Sequence, residues 1–384
     1  EIEILARRDD GYPVEITCAE EELPRGVLSA GILPWEPSSS PEEDGERLFD
    51  ALFRDRRLGM AWARAVGQNP KRRIRLNIHE SAPELHTLPW ELMRDTSMGA
   101  VAKTIAADQD TPFSRYLRVP VPRRGLVTAR PIKMLVAIAN PENLEAEYGL
   151  PALDAETETR IIQEALGEVG DDQVKVTFLP PPVTLAALNA KLLEGYHILH
   201  FVGHGEFDDT SRSGSLALED GRGELDLVPG AQLATILRDH LDLRLVYLNA
   251  CEGALASDQS VFTGLAQTLV RGGVPAAVAM QAEITDRGAI QLARTFYTAL
   301  ATGRPVDAAL TQARVALSAA GSAEWAIPVL FSRSPDNCLF DIRQVLPRPD
   351  CPYPGMVPFT EGQKALFFGR SSEIDDAVAR LRHH

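Results

Sequence analysis

Six short apolar runs punctuate this chain. They are IKMLVAIA (132–139), VKVTFL (174–179), HILHFV (197–202), LRLVYLNA (243–250), PAAVAM (275–280) and IPVLFS (327–332). Each reads as a strand, and HILHFV and LRLVYLNA read as buried parallel strands. Between them, apolar residues return at helical spacing over 155–169, 184–194, 229–239, 261–271, 285–301 and 306–319. Acidic residues crowd the start of the first helix, Thr184 is placed to cap the second, and Gly272-Gly273 stops the fourth. Strand and helix alternate, which predicts a doubly wound α/β domain over 126–335 with a six-stranded, mostly parallel sheet.

The first 125 residues have a different rhythm. Strands are expected at 1–5 and 13–17, a single helix over 46–66, and an alternating, half-buried strand at RIRLNI (73–78). Pro89-Trp90 opens a short helical turn, and VPVPRRG (119–125) reads as a linker. We therefore expect a smaller α+β N-terminal module at 1–125, the α/β domain at 126–335, and a Pro-rich linker with a further segment at 336–384. A chain of 384 residues is also too long for one simple core.

Composition narrows the function classes. The formal net charge is −15, and no Lys/Arg cluster is interleaved with aromatics, which argues against direct nucleic-acid binding. No apolar stretch reaches the length of a membrane helix, and no signal peptide opens the chain. The cysteines Cys18, Cys251, Cys338 and Cys351 show neither CxxC spacing nor a regular framework. Free thiols in a cytoplasmic, reducing setting fit best, with no metal site.

Two strand ends carry the chemistry. HFVGHGE (200–206) closes one apolar run with His204, and YLNACEG (247–253) closes another with Cys251. Open α/β sheets collect their chemistry beyond the carboxyl ends of the strands. An imidazole and a thiol delivered to one rim supply a nucleophile and the base that ionises it. The interval, 251 − 204 = 47 residues with His upstream, is close to the caspase-type spacing of about fifty. Cys251 lies after its apolar run and before Glu252-Gly253, which suits a turn better than a packed core.

Four segments in order extend this pattern: LPWELM (88–93), HFVGHGE, YLNACEG, and the block from Gly273 to Arg314. Together they resemble the CHAT family of caspase-like cysteine peptidases, in the clan of separases, gingipains and metacaspases. The resemblance runs with gaps from about residue 75 to 332. It implies a caspase-like α/β/α sandwich, Cys251 as nucleophile and His204 as base. The Gly205 and Cys251 backbone N–H groups become the oxyanion donors. Metacaspase relatives carry an acid two residues before the nucleophile, where this chain has the neutral Asn249. Gln281, Glu283 and Asp286 follow the next strand and could line the specificity pocket. A neutral or apolar P1 residue is therefore expected over Arg or Lys. Asp286 also suits a simple helix N-terminal charge beside Thr285.

Other residues read as structural. His200 is expected as a hydrogen-bonded core histidine, and His197 as structural. Leu88, Trp90 and Leu92 are expected as apolar anchors with no titratable cluster beside them. Asp208, Asp209, Glu219 and Asp220 are expected as solvated loop acids. Loops at 206–215 and 252–260 would flank the pair.

The segment 351–384 resembles the lead-in to a STAND-type NTPase, although no GxxxxGK[ST] phosphate loop occurs in these residues. The chain begins at Glu1 and stops within a helical pattern, so a piece of a larger protein is expected, and His383-His384 could be a tag remnant. The resemblance implies a regulated endopeptidase acting on a protein substrate. Its own C-terminal NTPase/sensor module, with ATP and Mg, would drive oligomerisation and activation in bacterial signalling or anti-phage defence. No cofactor is expected in this segment. A catalytically silent adaptor for protein contacts is the alternative, and the intact His204/Cys251 pair stands against it.

Overall fold

The computed structural model describes residues 1–18, 21–97, 102–167, 169–208, 213–249, 261–342 and 371–382. Two compact units divide the chain, Glu1–Ile342 and Arg343–His384. Within the second, one helix is described, Ser371–Arg382. The Pro-rich stretch PRPDCPYPG (347–355), expected as a hinge, and the residues up to 370 lie outside the described residues.

The first unit is an α/β fold built on one twelve-stranded sheet. From one edge the order is Val174–Phe178, Ile132–Ile138, Ile198–Val202, Leu245–Asn249, Ala276–Met280 and Pro328–Ser332. The first five run parallel, and Pro328–Ser332 is antiparallel to its neighbour Ala276–Met280. These are the six apolar runs read from the sequence. The four from Ile198–Val202 to Pro328–Ser332 are buried throughout because helices cover both faces of the sheet, whereas the edge strand Val174–Phe178 is only partly buried. Ala155–Leu166 packs on Asp286–Ala301, which packs on Val306–Ala319, while Gly230–Asp239 packs on Val261–Arg271.

The sheet does not stop at the sixth strand. It continues through Phe113–Tyr116, Ile74–Ile78, Ile2–Ile4, Tyr12–Cys18 and Glu21–Glu22, with Gly26–Leu28 paired beside Tyr12–Cys18. One hydrophobic cluster of residues 2–113 and another of 117–342 line it. Ile74–Ile78 sits mid-sheet between two neighbours and is more than half buried.

Two local expectations change. The single helix expected over 46–66 is two, Pro41–Phe53 and Arg56–Gln68. Asp55 causes the break. Its Oδ1 accepts the Arg57 N–H at 2.8 Å as N-cap, and its Oδ2 accepts the Val27 N–H at 3.1 Å. The VPVPRRG segment is tied down. The Arg124 guanidinium donates to the carbonyls of Leu237, Arg238, His240 and Leu243, closing the end of helix Gly230–Asp239. Arg333 in turn donates to the Val121 and Pro122 carbonyls.

After the His204 strand the chain forms a small antiparallel sheet, Gly205–Asp208, Ser213–Glu219 and Leu225–Pro229. Much of the loop expected at 206–215 is therefore strand. Residues 209–212, Asp209 among them, and residues 252–260 lie outside the described residues. This small sheet lies directly on helix Val261–Arg271. A Cβ at Gly214 would stand 2.7 Å from the Val261 carbonyl oxygen, so only glycine allows that approach.

Candidate active site

In the parallel ladder between Ile198–Val202 and Leu245–Asn249, Val202 pairs with Asn249. His204 and Cys251 each follow two residues later in sequence. The two strands therefore end side by side at one rim of the sheet. Cys251 itself lies outside the described residues. Chain order also reverses between Ile132–Ile138 and Ile198–Val202, since the next strand after the former goes to one side and the latter to the other. The rim beyond that pair is the switch point where open sheets leave a crevice.

His204 is fully buried at this rim. Its Nε2 lies 2.9 Å from the Pro151 carbonyl oxygen. A carbonyl can only accept, so Nε2 carries the proton. That places the lone pair of the neutral ring on Nδ1 and presents an acceptor that would steady an imidazolium. The flanking glycines are there for space. A Cβ at Gly203 would fall 2.6 Å from the Phe201 ring, and one at Gly205 would fall 2.7 Å from Val261 Cγ1. The Ala217 N–H donates to the His204 carbonyl at 3.1 Å, and Gly205 pairs with Leu216. Antiparallel alternation then turns the Gly205 N–H away from the Ser213–Glu219 strand, as an oxyanion donor requires.

The CHAT domain family model matches residues 42–336. The chain belongs to the CHAT domain family. No curated protein matches it. Among solved structures it is similar to the Arg-specific cysteine proteinase gingipain R, at 13% identity over 82% of this chain and 70% of that one, with a TM-score of 0.43. The complex of Porphyromonas gingivalis RgpB pro- and mature domains gives 12% identity, coverage of 78% and 75%, and the same TM-score of 0.43. The Saccharomyces cerevisiae separase in complex with securin gives 13% identity and a TM-score of 0.37 over 67% of this chain. The match spans only 15% of the separase chain.

The remaining candidates of this CHAT domain are spread along the rim. Asn249 is buried at the end of its strand. Gln281 is half-buried after Ala276–Met280, with Nε2 donating to the Ala326 carbonyl at 2.8 Å. Glu283 is exposed. Asp286 is exposed in the first turn of helix Asp286–Ala301, which Thr285 caps by accepting the Gly288 N–H.

Glu219 is 4% exposed and not the solvated loop acid expected. Its Oε1 accepts the Asn140 N–H at 2.9 Å and its Oε2 the Val183 N–H at 2.7 Å. Asp220 does stay in the turn, where the Arg222 and Glu224 N–H groups bond its carboxylate and hold its pKa below the usual range. Glu91 in LPWELM is fully buried and forks onto Arg115, with Oε1 to Nε at 3.0 Å and Oε2 to Nη2 at 2.6 Å. Arg314, equally buried, feels the same Glu91 and donates to the Pro328 carbonyl at 2.7 Å. LPWELM thus brings a titratable cluster as well as apolar anchors. The Gln281 Nε2 reaches Glu91 Oε2 at 3.5 Å, linking this cluster to the rim.

His200 behaves as the core histidine expected. It stacks on Tyr247 at 4.6 Å and bonds the Tyr297 hydroxyl at 2.8 Å through Nδ1. Burial lowers its pKa to about 3. Burial, then Arg115, lowers His86 to about 3 as well. Both rings fold neutral and would protonate near 6.5 once unfolded. Between those values the unfolded chain binds more protons, so stability falls as pH drops from about 6.5 towards 3. Each ring contributes on the order of 5 kcal/mol to that loss. Urea midpoints measured from pH 7 to 4 should drop steeply, and less so in His200→Phe. Identical profiles for the two proteins would contradict this.

Proposed function

We propose that the chain is a cysteine endopeptidase that cleaves a protein substrate through His204 and Cys251. The observation that carries this reading is His204. It stands at the rim beyond a strand whose neighbour ends at Asn249, two residues before Cys251 in sequence, and its proton is held at Nε2 by the Pro151 carbonyl. In the reaction, Nδ1 takes the Cys251 thiol proton and the Sγ attacks the scissile carbonyl carbon. The displaced carbonyl electron pair collects on oxygen, facing the N–H groups of Gly205 and Cys251. The C–N bond then breaks as Nδ1 returns the proton to the leaving amine. Water adds to the thioester, losing its proton to Nδ1, and the carboxylate product leaves as the thiol reforms.

Asn249 supplies no charge, so a neutral P1 residue is favoured, because burying an unpaired Lys or Arg is costly. Regulation belongs to the same proposal. Residues 351–384 lead into a STAND-type NTPase module that binds ATP and Mg, oligomerises, and switches the protease on in the bacterial cytoplasm, in signalling or anti-phage defence. The likeness of that segment to such lead-ins supports this part.

A labelled acyloxymethylketone with a neutral P1 residue tests the site. Mass spectrometry should find the label on Cys251, and probes with P1 Arg or Lys should label more slowly. Labelling confined to Cys18, Cys338 or Cys351 would overturn the assignment. Fast P1 Arg labelling that is lost in Glu283→Ala or Asp286→Ala would move the pocket to those acids.

A further inference from the structure

We propose that Asn140 is a positioning residue that sets the tautomer and orientation of His204, through the main chain of residues 151–153. The inference rests on the reading of His204 as the base. Asn140 follows the strand Ile132–Ile138, next to the His204 strand. Its side chain spends both of its polar ends on one residue. Oδ1 accepts the Leu153 N–H at 2.9 Å, and Nδ2 donates to the Leu153 carbonyl at 2.9 Å. Two residues before Leu153 stands Pro151, whose carbonyl oxygen takes the His204 Nε2 proton at 2.9 Å.

Asn140 is itself anchored. Its backbone N–H donates to Glu219 Oε1 at 2.9 Å. Glu219 is held by a paired contact with Val183, its Oε2 accepting the Val183 N–H at 2.7 Å and its own N–H donating to the Val183 carbonyl at 3.0 Å. The chain of contacts therefore runs from a buried carboxylate to Asn140, to Leu153, to the Pro151 carbonyl, to the imidazole.

This arrangement has a physical purpose at this place. Residues 149–154 belong to no helix or strand, so no backbone ladder fixes the Pro151 carbonyl. A hydrogen bond weakens steeply once distance or angle departs from the ideal, so a free loop would hold the imidazole poorly. A misplaced base is expensive, with about 1 Å of error able to cost around a hundredfold in rate. An Asn that only tidied a loop would have no effect on the proton of a residue it does not touch. That difference makes the role testable.

The full chain, labelled with 15N-histidine, reads the tautomer directly. The His204 signals are assigned by their loss in His204→Ala. Wild type should show the Nε2–H tautomer. Asn140→Ala should add Nδ1–H tautomer and slow the alkylation of Cys251 by iodoacetamide about tenfold at neutral pH. Thermal unfolding checks that the variant is folded. A folded Asn140→Ala with wild-type tautomer and wild-type alkylation overturns the positioning role. If His204→Ala leaves Cys251 alkylation unchanged, the reading of His204 as base fails instead, and the two failures are told apart. Should Asn140→Ala not fold, Glu219→Gln replaces one of the two carboxylate oxygens with an N–H₂ group and takes the same two readouts. It should shift both in the same direction by a smaller amount, and no shift overturns the proposal.

Discussion

Cys251→Ala is expected to remove peptide-bond cleavage altogether, and His204→Ala to lower kcat by about 10⁴-fold or more. A thiol with an ordinary pKa near 8.5 is mostly protonated at neutral pH, so the sulfur needs a base beside it. His204 is buried at the rim with its Nε2 proton committed to the Pro151 carbonyl, which leaves proton transfer to Nδ1. The two losses should not add. Nucleophile and base act as a unit, so the double variant should be about as slow as the worse single one. Both variants should keep the wild-type fold by circular dichroism, since His204 lies outside the strand pairing of the main sheet. Steady-state assays on a peptide found by library profiling would measure this. Appreciable turnover by purified Cys251→Ala would falsify the assignment of the nucleophile.

The largest effect on stability is expected at Glu91. Its carboxylate is wholly buried and neutralises Arg115, itself wholly buried on the strand Phe113–Tyr116. Arg115 also donates to the carbonyls of His86 and Leu88, so it cannot swing out to water without breaking several bonds. Arg314 lies close enough to feel both charges, and burial lowers its pKa to about 10, so it remains a cation at neutral pH. Glu91→Ala would leave the buried Arg115 guanidinium without its acid, while Arg314 would keep the field of the buried Asp307. The expected cost is about 3–5 kcal/mol, the range for stripping one partner from a buried pair. The exposed pair Arg64–Glu21, with side chains 49% and 53% accessible, is the internal control. Arg64→Ala should change stability by less than about 1 kcal/mol. Urea unfolding of both variants decides the matter. The double replacement Glu91→Leu with Arg115→Met should recover part of the loss, because it removes the stranded charge as well as its partner. Equal stability of Glu91→Ala and wild type would show that the pair adds nothing.

These two sites differ in how far the sequence disclosed them. The strands that lead to His204 and Cys251 were legible because local pattern carries them. Each is a continuous apolar run, and such a run in alternation with amphipathic helices has few structural solutions besides a parallel strand. The helix starts were legible for the same reason. Thr184 does accept the Ala187 N–H and Thr285 the Gly288 N–H, as N-caps act within one turn. The family resemblance lay in these same short-range motifs.

What tertiary structure decided are the properties set by partners distant in sequence. FSRY (113–116) carries no strand signal, since Ser114 and Arg115 break the apolar pattern. It becomes a mid-sheet strand because Glu91, 24 residues away, meets the Arg115 charge. That same strand, paired with Pro328–Ser332 on one side and Ile74–Ile78 on the other, lets one sheet run through both hydrophobic clusters. Glu219 looked like a loop acid, and only the arrival of Asn140 and Val183, 79 and 36 residues away, makes it an anchor. The proton on His204 depends on a carbonyl 53 residues away. Charge and polarity in a sequence say that a group prefers water. Whether it is instead buried and matched depends on which distant donor or acceptor the fold brings to it, and local periodicity holds no record of that.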